Sequence, residues 1–118
     1  MKIRIKGNSL RYRLTKTDVA KLAGEGYVQE TVDFGSQQLI YALRLVDDEH
    51  LSATYKENAI TLYVPKAVAT GFANDDKVGY EGKHGSLHLL VEKDFTCLDE
   101  VAEDQSDNYP NPLAAKKP

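Results

Sequence analysis

Basic residues recur at every second position at the start of this chain: Lys2, Arg4 and Lys6, then Arg11 and Arg13. Alternate positions of a strand point the same way. Gly7-Asn8-Ser9 between the two runs is a turn cluster. A hairpin here would therefore gather the five cations on one face. Arg44, the one cation on an otherwise apolar strand, is the sixth candidate. Such a face suits an anion, because the planar guanidinium fork of arginine grips two oxygens of a phosphate at once. The competing outcome is solvation, or pairing with acids such as Glu30 and the acidic C-terminal stretch from Asp94 to Asp107.

Other reactive side chains form no pattern. His84 and His88 have the same parity, but extended backbone holds them roughly 13 Å apart, and zinc sites ask for three or four convergent ligands. Cys97 is the single cysteine, and a lone cysteine is more often a small buried hydrophobe than a nucleophile. There is no nucleophile elbow, no phosphate-binding loop and no dinucleotide glycine fingerprint. No spacing singles out an acid/base pair of carboxylates. The sequence assigns no catalytic residue, no metal ligand and no cofactor.

The elements that carry these residues read mostly as strands. Ile3 and Ile5, then Leu10, Tyr12 and Leu14, alternate with the cations. Thr15 followed by Asp18 three places on predicts a capped helix to about Gly24 or Gly26, with Leu14 and Val19 as its hydrophobic staple. Tyr27–Phe34, Gln38–Val46, Leu51–Lys56 and Ile60–Val64 predict a four-stranded meander. Gln38–Val46 is apolar on both faces and so should be central. Pro65 opens a short second helix, and Val78–Tyr80 and Leu87–Val91 add two strands. No internal repeat is evident. The fold class expected is α+β, mainly an antiparallel sheet or partly closed barrel with two short helices. Residues 1–98 form the domain and 99–118 a tail. Tyr109, Pro110, Pro112 and Leu113 are its anchor, an aromatic and a leucine held extended by prolines, docking on its own domain or on another copy.

At 118 residues the chain fits one domain able to bury about two thirds of its unfolded surface. A net charge of −3 argues against non-specific nucleic-acid binding, which needs a basic surface. One cysteine rules out an intrachain disulfide. The alternating N-terminus is no signal peptide, and no apolar run approaches the roughly 20 residues of a membrane span. A cytoplasmic location is the expectation.

The opening Met1-Lys2-Ile3-Arg4-Ile5-Lys6-Gly7-Asn8-Ser9 with Arg11 and Arg13 resembles a small bacterial family of uncharacterised single-domain proteins. So do Asp76-Lys77-Val78-Gly79, Val91-Glu92-Lys93-Asp94-Phe95-Thr96-Cys97-Leu98 and Asp107-Asn108-Tyr109-Pro110-Asn111-Pro112. That resemblance spans nearly the whole chain and implies no activity, cofactor or site. The alternating rhythm of Lys2-Ile3-Arg4-Ile5-Lys6 is also similar to the triphosphate-tunnel enzymes, although cations stand here where that family has metal-holding glutamates.

These readings favour a non-catalytic binding or protein-interaction module, with a protein partner or a second copy. The alternative is a binder of phosphate or nucleotide anions, or a triphosphate-tunnel-like enzyme, using the basic strand face.

Overall fold

The computed structural model describes residues 1–74, 78–95 and 106–110. The basic hairpin forms as parity requires. β1 (Lys2–Ile5) and β2 (Ser9–Leu14) pair antiparallel, with Ile3 opposite Tyr12 and Arg4 opposite Arg11. Helix α1 (Lys16–Glu25) follows at once. Thr15 accepts from the Asp18 backbone N–H, and the Asp18 carboxylate accepts from Thr15 N, closing a capping box. Gly26 ends the helix at φ +74°, a left-handed conformation in which a side chain would be strained, and donates to Leu22 O.

Next come β3 (Tyr27–Asp33), β4 (Gln38–Val46), β5 (Ser52–Lys56) and β6 (Ala59–Pro65). Helix α2 (Lys66–Asn74), β7 (Gly79–His84) and β8 (Leu87–Lys93) complete the regular structure of the described residues. The strands make two four-stranded sheets, in the orders β1-β2-β8-β7 and β3-β4-β6-β5. The class is α+β with two short helices. The sheets are mixed, because β2 pairs parallel with β8 and β4 with β6. They remain two separate sheets and close no barrel. The expected meander is corrected for the same reason. Alternation fixes each local hairpin, but which hairpins then join is decided by long-range packing. Central placement of β4 holds, with β3 on one side and β6 on the other.

A repeat invisible in the residue types emerges from the register. Lys2 faces Arg13 in the first hairpin, and Ser52 faces Tyr63 in the third, fifty places further on in both strands. Helix α2 likewise starts fifty places after α1. Tyr27 faces Arg44 as Gly79 faces Glu92, and Leu10 lies beside Leu89 as Ile60 lies beside Tyr41. The chain is thus two hairpin–helix–hairpin units. Each unit gives one hairpin to each sheet, which relates the halves by an approximate twofold axis. The expectation of no repeat fails because few identities survive. What recurs is the apolar register.

The inner faces form the core. Tyr12, Leu14, Leu89 and Val91 of one sheet meet Leu43, Leu62 and Val64 of the other, and Val19, Leu22 and Phe72 of the helices join them. Tyr12 spans the layers, its hydroxyl donating to Ile60 O at 3.1 Å. Truncating a fully buried leucine such as Leu62 to alanine costs about 2–5 kcal/mol. The helices leave the C-terminal ends of β2 and β6 and pack against each other, so among the described residues no helix covers the opposite end of the strands.

Candidate functional site

On the outer face of the first sheet, the hairpin register sets Lys2 beside Arg13 and Arg4 beside Arg11. Like charges directly opposed across a pair repel, so something must offset them. The parallel neighbour β8 supplies part of the answer, since Arg13 pairs with Glu92. Arg11 Nε and Nη2 both lie 2.6 Å from Glu92 Oε1, and Arg13 Nε lies 2.9 Å from the same oxygen. Lys2 turns to Asp94, with Nζ 3.1 Å from Oδ2. Asp94 is buried, and a buried carboxylate needs such a partner.

Arg4 and Lys6 are exposed and form no ion pair with any described residue. Both line an open groove of about 350 Å³, together with Ser9, Arg11 and His88. Leu90 contributes to its floor, and among the described residues Glu81 of β7 is the one acidic side chain lining it. Ser9 anchors the hairpin turn by donating its hydroxyl to Lys6 O at 2.6 Å. The groove therefore offers two guanidinium groups, an ammonium group and an imidazole to a ligand arriving from solvent.

The second sheet is a built-in comparison. Positions equivalent to Lys2, Arg4, Arg11 and Arg13 are Ser52, Thr54, Thr61 and Tyr63, given by the fifty-place offset. At these four positions the same backbone thus carries no charge, and the Thr54 and Tyr63 hydroxyls share a hydrogen bond at 3.1 Å. The fold does not require the cations, whereas it does require the apolar residues on the inner side of both sheets.

Not every candidate reaches the groove. Arg44 lies on β4 in the second sheet, with its guanidinium 4.6 Å from the Tyr27 ring centre. It stands apart because β4 pairs with β3 and β6, not with the basic hairpin. His84 and His88 do not converge. Lys83 faces His88 and His84 faces Leu87 across the β7–β8 hairpin, so the two histidines take opposite faces. His84 Nδ1 accepts from Ala53 N at 3.0 Å and ties β7 to β5. Among the described residues no group of three or more His, Cys, Asp or Glu side chains could hold a metal ion. Among the described residues no helix is long and apolar enough to cross a membrane. Sequence reasoning missed Glu92, Glu81 and His88 as neighbours of the cations, because only the parallel β2–β8 pairing brings them there.

Tyr109 returns to the domain. Its N–H donates to Asp94 O at 2.8 Å, and its ring stands 4.9 Å from Lys93 Nζ and 6.3 Å from the centre of Phe95. Asp107 caps α1 from outside: its carbonyl accepts from Lys16 N at 3.0 Å and its carboxylate from Thr17 N. Hydrogen bonds from Thr17 and Thr15 hold the Asp107 carboxyl below the usual carboxylate range. Pro110 is exposed. Cys97, Pro112 and Leu113 lie outside the described residues.

A family model described as a family of unknown function, DUF7009, matches residues 1–113. No curated protein and no solved structure matches the chain.

Proposed function

Since the chain belongs to that family of unknown function, we propose from its own geometry that it is a non-catalytic binding module whose basic groove takes a phosphate-bearing anion. The observation that carries this reading is the contrast between the two outer faces. One sheet lines a groove with Arg4, Lys6, Arg11 and His88, and its twin has threonines where two of these stand. Arginine matches the ligand, since its fork meets two phosphate oxygens. Glu92 leaves Arg11 part of its donor set while holding the side chain in place. Ser9, the hydroxyl lining the groove, donates to the Lys6 carbonyl and so supports the turn, and the reading is recognition, not turnover. The Tyr109 to Leu113 segment is a second point of contact for a protein partner or another copy. A cytoplasmic setting in a bacterial cell accords with a chain holding one cysteine.

Thermal denaturation with and without tripolyphosphate tests this. A ligand that binds the native state raises Tm by mass action. The wild-type chain should show a rise that shrinks as salt is added, and a Lys21→Gln control on α1 should match it. The Arg4→Ala, Lys6→Ala double variant should lose most of the rise. A flat response in the wild type, or an undiminished one in the double variant, overturns the reading.

A further inference from the structure

At the end of the strands opposite α1 and α2 the two sheets open on a cavity of about 480 Å³. Its apolar wall is made of three pairs related by the internal twofold: Ile5 with Tyr55, Leu10 with Ile60, and Leu39 with Leu87. The first two pairs follow from the fifty-place offset. The third follows from the matching hairpins, in which Val32 faces Leu39 as His84 faces Leu87. Large side chains at this end would be expected to fold inward and close the core. Instead Ile5 is 58% exposed and Tyr55 72% exposed. The volume lies within the roughly 300–1,000 Å³ of small-molecule sites, which are lined mostly by apolar groups with a few polar ones. Here the polar contribution comes from Asn8, Ser9 and Thr54.

The rim states which ligand fits. Lys6 follows Ile5 directly and Lys56 follows Tyr55, so an exposed cation stands next in the chain to each outermost wall residue, at the two strand ends that border the mouth. Among the described residues neither lysine forms an ion pair, and the acid adjoining them in sequence is Glu57, in the turn after Lys56. We propose that this mouth is a second binding site, distinct from the basic groove on the outer face, for a small amphiphile with an apolar body and one anionic end. The body enters between Leu10 and Ile60, and the end group stays at the rim with Lys6 or Lys56. A neutral apolar molecule would gain the burial but not the charge. A phosphate without an apolar body would gain the charge but not the burial. The inference does not rest on the groove's binding a phosphate.

The full-length chain titrated with 1-anilinonaphthalene-8-sulfonate, an apolar aromatic anion, gives the test. Fluorescence should rise to saturation, Tm should rise with it, and decanoate should displace the probe about tenfold more effectively than decanol. Ile5→Glu should weaken probe binding by about tenfold or more, since it sets a charge on the apolar wall. Ile5 is exposed, so the variant should fold, and its melting curve checks this. If it does not melt cooperatively, Tyr55→Ala, at the more exposed position, carries the same expectation of weaker binding. The Lys6→Gln, Lys56→Gln double variant should abolish the preference for decanoate over decanol. Saturating tripolyphosphate, which would engage Lys6 from the groove, should leave the probe in place, because Lys56 remains for the end group and the apolar wall lies outside the groove's cation cluster. Absence of saturable binding, full binding by the wall variants, or displacement by tripolyphosphate each overturns the proposal. So does a chain that dimerises in solution, becomes monomeric on Ile5→Glu and takes up no probe, which would assign the mouth to a second copy.

Discussion

Arg11 and Glu92 stand 81 residues apart in sequence, yet Arg11 Nε donates to Glu92 Oε1 at 2.6 Å. The contact exists because β2 and β8 run parallel side by side, bringing the first and last hairpins into one sheet. Glu92 also takes Arg13, so one carboxylate tempers two of the crowded cations. Glu92→Gln should lower stability by about 1 kcal/mol, a modest figure because both arginines are about one-third exposed. It should also tighten tripolyphosphate binding, since the arginines lose their internal acceptor. Melting curves and a titration on the same variant check both signs. A tighter fold with weaker binding would contradict this assignment of the carboxylate.

Thr15 and Asp18 make the clearest local prediction. Each satisfies a backbone N–H of the other at the start of α1. Thr15→Ala should cost about 0.5–2 kcal/mol. Thr15→Ser should recover most of it, because serine keeps the accepting oxygen. Urea denaturation of the three proteins measures the series, and equal midpoints would show that the cap contributes nothing.

That cap was legible in the residues, as were the basic hairpin and the central place of β4, because each depends on spacing within about ten residues. The joining of hairpins was not legible. Leu10 pairs with Leu89 in parallel, and neither the alternation around Leu10 nor that around Leu89 names its partner. The repeat stayed hidden for a related reason. Tyr12 and Leu62 occupy equivalent buried positions, and the core accepts either so long as the inward register is kept. Of the candidate site, Arg4, Lys6 and Arg11 could be read locally. Arg44 was drawn in by charge type alone, and sheet membership excludes it.

Asp107 gives a prediction in acid. Its hydrogen bonds to Thr17 and Thr15 favour the carboxylate, so the folded-state pKa is depressed below the ordinary 3.8. A depressed carboxyl stabilises the fold fully above its unfolded value and loses that contribution as pH falls through the folded value. The segment from Asp107 to Tyr109 should therefore loosen from α1 below about pH 4. Amide exchange at Lys16 and Thr17, whose N–H groups donate to Asp107, should quicken there relative to the helix interior. Asp107→Asn should remove the difference. Unchanged protection of Lys16 and Thr17 through that range would refute it.

Tyr12 predicts the behaviour in alkali. Its ring has no exposed surface and its hydroxyl donates to Ile60 O across the core. Burial disfavours the phenolate and raises the folded pKa well above the ordinary 10.0. The sign follows directly. Below the unfolded value the neutral phenol is present in both states and the contribution is complete. As pH rises past 10, the unfolded chain gives up the proton and the folded chain does not, so stability declines. Tyr41 and Tyr109 are shifted the same way, first by burial and then by neighbouring carboxylates, so the decline should be shared. Tyr12→Phe should cost about 1 kcal/mol at pH 7, from the lost hydrogen bond to Ile60. Above pH 10 the variant should lose stability less steeply than the wild type, so the two curves converge. Urea midpoints at several values between pH 8 and 11 measure this. Parallel curves across that range would mean that the Tyr12 hydroxyl titrates alike in both states, which a phenol sealed between the two sheets cannot do.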